Sequence, residues 1–149
     1  MAIDSGGHWW GIWKKSKEKL REASIFSILF DFYLAGGTAL LIKYDHRPSE
    51  DFDFFLFPER DFKVDSYEKS IITAFPEEVK IIYRDKETLI FTLNDVKIFL
   101  FQYSYPLLEK PETFIGILIA GDKDIACMKA YAINGKGLKK DFFDLWMLI

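Results

Sequence analysis

Residues 34–55 read LAGGTALLIKYDHRPSEDFDFF, the most informative stretch of this 149-residue sequence. The apolar residues 32–35 predict a short strand that ends at the glycine pair Gly36 and Gly37. Residues 38–44 then predict a helix. The glycine pair is therefore expected between the end of a strand and the start of a helix.

The second strand expected in this stretch, residues 51–57, alternates acids with phenylalanines. Because successive side chains on a strand point to opposite faces, Asp51 and Asp53 share one face while Phe52 and Phe54 point into the core. Two adjacent carboxylates repel each other unless a cation lies between them, and oxygen ligands of this kind suit Mg²⁺. Solvated aspartates at a strand edge are the alternative interpretation of the acids alone.

The glycine pair favours the metal-binding interpretation of the acids. Glycine lets the backbone approach a ligand closely, and the free N–H groups of the following helix offer an anion site. We therefore interpret Gly36, Gly37 and Thr38 as a cradle for a triphosphate, which Mg²⁺ or Mn²⁺ would bridge to Asp51 and Asp53. A tight turn is the alternative interpretation of the glycines alone.

The rest of the sequence predicts strands interleaved with helices. Predicted helices cover residues 16–30, 66–75, 122–133 and 139–149, and predicted strands cover residues 79–84, 88–93, 96–103 and 116–120, with a hairpin turn at Asn94 and Asp95. No repeat or linker divides the chain, so we expect a single domain over residues 1–149. This interleaving indicates an α+β (α/β) fold with one mixed β-sheet flanked by helices.

Composition excludes several classes of protein. The formal net charge of −3 argues against a general nucleic-acid coat protein, and the 17% aromatic content argues against a disordered chain. One cysteine, Cys127, cannot form an intramolecular disulfide, which favours a reducing compartment, and its apolar surroundings predict a buried thiol. Neither a secretory signal nor a membrane-spanning run is evident, so we expect a cytoplasmic protein without membrane association.

Two separated groups of motifs resemble a known family. A glycine pair followed by an Asp-x-Asp strand resembles the DNA polymerase β-like nucleotidyltransferase superfamily. Residues 36–40 (GGTAL), 46–49 (HRPS) and 51–53 (DFD) resemble, more narrowly, the nucleotidyltransferase AbiEii/AbiGii toxin family. Residues 124–129 (DIACMK) and 140–145 (KDFFDL) resemble the later motif of that family, so the resemblance covers about residues 30–149. It implies the nucleotidyltransferase fold.

The resemblance also implies an activity and its residues. It implies transfer of a nucleotidyl group from an NTP to an acceptor hydroxyl, with tRNA or a protein as acceptor. The chain would be the toxin of a toxin–antitoxin pair, with an antitoxin protein as a further partner. Asp51 and Asp53 would be the catalytic metal ligands, and Lys129 would contact nucleotide phosphates while Asp141 or Asp144 orients it.

Four further residues carry open interpretations. Lys129 is the only charged residue in an apolar helical segment, so its ammonium must reach water or an anion. A structural ion pair with Asp144 is the alternative to a phosphate contact, and both roles can coexist. Arg47 in the loop before the second strand is either a phosphate ligand or a loop anchor. Ser49 of the same loop is included with the nucleotide-binding residues, and for His46 we expect a structural role.

One position departs from the superfamily pattern. The resemblance implies a third carboxylate near position 99, but Phe99 stands there, and Asp95 lies four residues earlier at the turn. A single Mg²⁺ held by Asp51, Asp53 and the nucleotide is therefore preferred to a two-metal arrangement. Whether the chain is an enzyme stays open, because an inactive module that binds a nucleotide or a protein is the main alternative. A nucleotide-sugar transferase is a weaker one. Basic runs at residues 14–21 and 136–140 are candidate acceptor contacts.

Overall fold

A computed structural model describes residues 28–47, 49–114 and 116–149. The strands are β1 (Phe32–Ala35), β2 (Phe52–Leu56), β3 (Val79–Arg84), β4 (Thr88–Leu93), β5 (Val96–Phe101), β6 (Glu112–Phe114) and β7 (Ile117–Ile119). The helices are α1 (Gly36–Tyr44), α2 (Val64–Ala74), α3 (Asp122–Lys136) and α4 (Lys139–Leu148). Apart from residues 28–30, the helix expected at 16–30 lies outside the described residues, as does the basic run at 14–21.

One seven-stranded sheet has the order β3-β4-β5-β2-β1-β7-β6. Strand β2 lies at its centre, antiparallel to β1 and parallel to β5, and β1 is also parallel to β7. The outer pairs β3–β4, β4–β5 and β6–β7 are antiparallel. The predicted α+β fold with a mixed sheet is therefore confirmed.

A large part of the core lies on the face of the sheet that carries Phe52 and Phe54. Phe52 and Phe54 are almost fully buried, as the alternation in the sequence predicted. Phe32 of the neighbouring strand contacts Tyr67 of α2 at 5.5 Å between ring centroids, so α2 packs on this face. Burying one such side chain stabilises the fold by about 2–3 kcal/mol. The opposite face carries Asp53, and β1 is buried on that side as well.

Two elements differ from the expectations. Strand β6 was not predicted, and it is a short, largely exposed edge strand with little apolar signal. The break expected at residues 134–137 is displaced, because α3 continues through residue 136 and ends at Gly137. One glycine costs a helix only about 1 kcal/mol. A Cβ at Gly137 would lie 2.9 Å from the Cα of Ile133 and 3.0 Å from the Phe142 ring, so this glycine allows α4 to fold back on α3.

The burial expected for Cys127 is wrong. Its side chain is exposed, although Ile125 on the same helix is fully buried. Helix α3 therefore packs on one side only, and the cysteine lies outside that packed side. Within the described residues, no helix combines the length and the apolar composition needed to cross a bilayer.

The β4–β5 hairpin provides a test of local backbone geometry. Asn94 and Asp95 have φ of 50° and 67°, as a two-residue turn with both central residues left-handed requires. Asparagine tolerates this region well and aspartate less so. We expect Asp95→Gly to raise the free energy of unfolding by about 0.5–1 kcal/mol in urea denaturation. Lys86→Gly, in an exposed loop without positive φ, is the control and should not stabilise.

Candidate functional site

The glycine pair lies directly against Asp53. Ala35 at the end of β1 is the Cα partner of Asp53 on β2, and the chain then turns through Gly36 with φ of 74°. A Cβ at Gly36 would lie 2.6 Å from Asp53 Oδ2, closer than a real Cβ approaches a carboxylate oxygen. Position 36 therefore requires glycine for two reasons, its left-handed backbone and its contact with the acid. The expected convergence of hinge and carboxylate is present in the structure.

Helix α1 begins at this hinge without a side-chain cap. Its N-cap residue, Ala35, forms no capping hydrogen bond, so N–H groups of the first turn have no partner within the helix. Thr38 is fully buried, and its hydroxyl bonds the Ser49 hydroxyl at 2.8 Å and donates to the backbone carbonyl of Asp51. Thr38 and Ser49 thus tie the loop before β2 to α1. A phosphate contact from Thr38 would come from its backbone N–H.

Asp51 and Asp53 form a negatively charged pair. Burial and, next, the negative charge of Asp51 raise the pKa of Asp53 to about 6. Lys129 and Lys140 act in the opposite direction with smaller effect. A carboxylate pair of this kind fits a hard divalent cation such as Mg²⁺ or Mn²⁺. The described ranges contain no group of three or more His, Cys, Asp or Glu side chains placed to hold a metal, so further ligands would come from substrate or water.

Asp144 is the centre of a buried ionic network. Arg47 donates to both of its carboxylate oxygens, at 2.7 and 2.6 Å, and Lys129 lies 2.7 Å and His46 2.6 Å from it. Burial alone would raise the pKa of Asp144, but hydrogen bonds from Arg47, Lys129 and His46 outweigh it and hold the pKa well below its usual range. The acid is therefore a permanent anion with its charge compensated from three sides.

The same network reaches the glycine hinge and the start of α4. A Cβ at Gly37 would overlap the Arg47 guanidinium, so this side chain lies against the hinge. Lys129 also donates to Asp141 at 3.0 Å, and Asp141 accepts from the Leu138 N–H at 3.1 Å, which caps α4. The structural ion pair expected between Lys129 and Asp144 is present. The structure thus brings Arg47 and Lys129 together through one buried acid.

Phe99 lies beside Asp53 on the neighbouring strand. The parallel register of β2 and β5 makes these two residues Cα partners. The position at which the resemblance implies a third carboxylate therefore lies beside Asp53, and a half-buried aromatic ring occupies it. Lys97 Nζ lies 5.1 Å from the centroid of this ring. Asp95 lies at the exposed hairpin turn, four residues away along the chain.

The sequence alone did not predict the partners of Asp144 that lie far from it along the chain. Arg47 and His46 precede it by 97 and 98 residues, and no local pattern links such positions. A second missed link joins Lys43 to Asp122 at 2.6 Å and fixes the end of α1 to the start of α3. The only signal available was a charged residue in apolar surroundings, which identified Lys129 but not the other basic residues that contact Asp144.

Comparison with protein families gives one match over most of the site. The model of the family described as "Nucleotidyl transferase AbiEii toxin, Type IV TA system" matches residues 29–119. This segment contains the glycine hinge, Asp51 and Asp53. It ends before α3 and α4, so Lys129, Asp141 and Asp144 lie outside it.

One curated protein and two solved structures are similar to the chain. The uncharacterized protein aq_aa25 of Aquifex aeolicus is 54% identical over 138 residues, which are 91% of this chain and 66% of that protein. The chain thus spans slightly less than two thirds of this relative. The structure of JHP933 from Helicobacter pylori has a TM-score of 0.56 at 22% identity, over 89% of this chain and 64% of that one. ANT(2")-Ia with adenylyl-2"-tobramycin has a TM-score of 0.51 at 12% identity, over 78% and 76%. At these identities the two structures support the fold alone.

The buried network predicts a large loss of stability when Asp144 is neutralised. Asp144→Asn removes the anion that Arg47 and Lys129 share and leaves Lys129 with Asp141, so we expect the free energy of unfolding to fall by about 3–5 kcal/mol. Asp141→Asn, which removes a more exposed acid, should cost about 1 kcal/mol. Urea denaturation of both variants measures the difference. Equal losses would contradict a central role for Asp144.

The raised pKa of Asp53 predicts a stabilising substitution with a defined pH dependence. The folded pKa of about 6 lies above the ordinary aspartate pKa of 3.8, so the folded chain loses stability as the pH rises from about 4 to about 6, and the loss is complete above pH 6. Asp53→Asn removes this penalty, and we expect about 1–3 kcal/mol of added stability at pH 7.5 in chelator-treated buffer. At pH 4 the gain should largely disappear. A loss of stability at pH 7.5, or a gain independent of pH, would refute the assignment. Asp61→Asn, at an exposed position without a positive φ, is the matched control.

Proposed function

The chain belongs to the AbiEii nucleotidyl transferase toxin family, and we propose that it transfers a nucleotidyl group from an NTP to an acceptor hydroxyl. The observation that carries this proposal is the contact of the Gly36 backbone with the Asp53 carboxylate. It puts a helix N-terminus suited to phosphates beside a carboxylate pair suited to a divalent cation. The phosphates of the donor and the metal ion would therefore bind next to each other.

Each element of the site has a role in this proposal. Asp51 and Asp53 would hold Mg²⁺ or Mn²⁺, which when bound neutralises phosphate charge. The glycines allow phosphate oxygens to approach the backbone, and N–H groups at the start of α1, including that of Thr38, bind them. The hydrogen bond from Ser49 to Thr38 keeps the loop before β2 close to these donors.

Arg47 and Lys129 supply positive charge beside the phosphates. Asp144 fixes both, so neither must reorganise as negative charge develops during transfer. An ammonium group has three hydrogens, and Asp141 and Asp144 accept two of those on Lys129. The third is available to a phosphate oxygen. Asp141 and Asp144 therefore act as positioning residues.

We further propose the biological setting that the family suggests. Residues 1–149 form one domain that acts in the cytoplasm as the toxin of a toxin–antitoxin pair, and an antitoxin protein opposes it. The acceptor is tRNA or a protein, and the basic residues within 136–140 contact it. The description of the family as a toxin of toxin–antitoxin systems supports the setting.

A second candidate function follows from Phe99. An aromatic ring opposite Asp53 is unable to accept a proton from an attacking hydroxyl or to bind a second metal. This observation favours a module that binds a nucleotide without turnover. Calorimetry with each NTP and Mg²⁺, run beside a transfer assay, separates the two functions because only turnover distinguishes them.

Neutralising one metal ligand tests the proposed activity. Transfer from α-labelled NTP is measured with each of the four nucleotides, with total tRNA and cellular protein as acceptors. We expect Asp51→Asn to lower transfer by about a hundredfold or more, since it removes half of the carboxylate pair. Asp95→Asn, at the exposed hairpin turn, should retain full activity.

The outcomes separate the candidates clearly. Transfer that persists in Asp51→Asn would show that this residue is not a metal ligand. NTP binding by the wild-type chain without transfer to either acceptor would replace the enzyme with the inactive nucleotide-binding module.

A further inference from the structure

Four of the seven tyrosines of the chain line one pocket. They are Tyr33 on β1, Tyr103 and Tyr105 after β5, and Tyr131 on α3. The pocket has a volume of about 330 Å³, which lies at the small end of the range for small-molecule sites and suits one nucleoside. Tyr105 and Tyr131 are mostly exposed and form its rim, while Tyr33 is fully buried.

The Tyr33 hydroxyl is a hydrogen-bond donor without a partner. It is buried, and no described residue bonds it. Leaving such a group unpaired costs roughly 1–3 kcal/mol. Burial and the nearby Tyr103 and Asp124 raise the pKa of Tyr33, so the hydroxyl keeps its proton. Because Tyr103 and Asp124 also line the pocket, this unused donor belongs to the pocket.

Asp124, the acid that lines the pocket, already has hydrogen-bond partners. Asp124 accepts hydrogen bonds from the backbone N–H groups of Leu108 at 2.8 Å and Glu109 at 3.0 Å. These bonds fix the segment after β5 that carries Tyr105. The remaining surface consists of aromatic and apolar side chains. A planar, uncharged ring with a hydrogen-bond acceptor therefore fits the pocket better than a charged ligand.

The pocket lies close to the candidate active site along β1. Tyr33 precedes Ala35 by two residues on the same face of β1, so it lies about 7 Å along the strand from the position paired with Asp53. A row of aromatic rings also runs from Phe99, the Cα partner of Asp53, to the pocket. Its centroid distances are 5.6 Å for Phe99–Phe101, 5.2 Å for Phe101–Phe55 and 5.4 Å for Phe55–Tyr103. This row connects the residue opposite Asp53 to the pocket.

We propose that the four-tyrosine pocket is a nucleobase subsite, in which the Tyr33 hydroxyl donates a hydrogen bond to a ring nitrogen or carbonyl oxygen of the base. This inference rests on the proposed function. The base belongs either to the donor NTP or to the acceptor nucleoside beside the transfer site. Both sources present the same uncharged heteroaromatic ring, which stacks on tyrosine and accepts a hydrogen bond.

The single cysteine of the chain gives a direct measure of occupancy. Cys127 is exposed and lines the pocket, so its alkylation by iodoacetamide slows when a ligand fills the site. The probes are adenosine, guanosine, cytidine and uridine, which carry no phosphate and need no metal. We expect at least one nucleoside to protect the thiol of the wild-type chain and of Asp51→Asn equally.

Tyrosine variants then test the subsite itself. Tyr33→Phe removes only the hydroxyl, and we expect it to require about three- to tenfold more nucleoside for the same protection. Tyr105→Ala, at the exposed rim, should weaken protection as well without disturbing the core. Tyr83→Phe on β3, a tyrosine outside the pocket, is the matched control and should behave as the wild type.

Adding NTP with Mg²⁺ identifies the source of the base. If NTP protects Cys127 in the absence of nucleoside and competes with the nucleoside, the pocket holds the base of the donor. If the nucleoside still protects Cys127 while NTP is bound, the pocket holds the base of the acceptor. Absence of protection by every nucleoside and NTP, or equal protection in Tyr33→Phe and wild type, would overturn the subsite. If the subsite fails in this way but the chain still transfers nucleotidyl groups, the proposed function is retained. If nucleosides protect Cys127 but no transfer occurs, the proposed function is contradicted and the subsite is retained.

Discussion

The backbone of Gly36 and Gly37 lies in contact with the side chains of Asp53 and Arg47, and the candidate site depends on this contact. Any Cβ at the first glycine would meet the Asp53 carboxylate, and any Cβ at the second would meet the guanidinium. The two glycines, the acid and the arginine therefore form one steric unit. Because β1 pairs with β2 at Ala35 and Asp53, the central sheet holds that unit in place.

Two neighbouring acids of the site have opposite electrostatic surroundings. Asp144 is fully buried but receives hydrogen bonds from three basic side chains, and its pKa is lowered. Asp53 is half-buried beside a second acid, and its pKa is raised to about 6. The first arrangement stabilises the fold and fixes Arg47 and Lys129. In the second arrangement the lysines compensate the negative charge only in part, which favours the binding of a divalent cation.

Local sequence patterns predicted the elements well and the long-range contacts poorly. Alternation around Asp51 and Asp53 and the glycine pair after an apolar run located β1, α1 and β2 within about two residues, because these patterns reflect burial on one face. Arg47 and His46 meet Asp144 only because α4 packs beside the loop before β2, and no short-range periodicity contains that information. The exposure of Cys127 was missed for the same reason, since an apolar helix segment does not reveal which of its sides is covered.

Anomalous diffraction from crystals grown with Mn²⁺ and a non-hydrolysable NTP tests the central claim most directly. The geometry predicts one Mn²⁺ peak bound by Asp51 and Asp53, with phosphate oxygens bridging it to the N–H groups at Gly36 and Gly37. A metal peak distant from these carboxylates, or a triphosphate bound away from the start of α1, would contradict the assignment of this site.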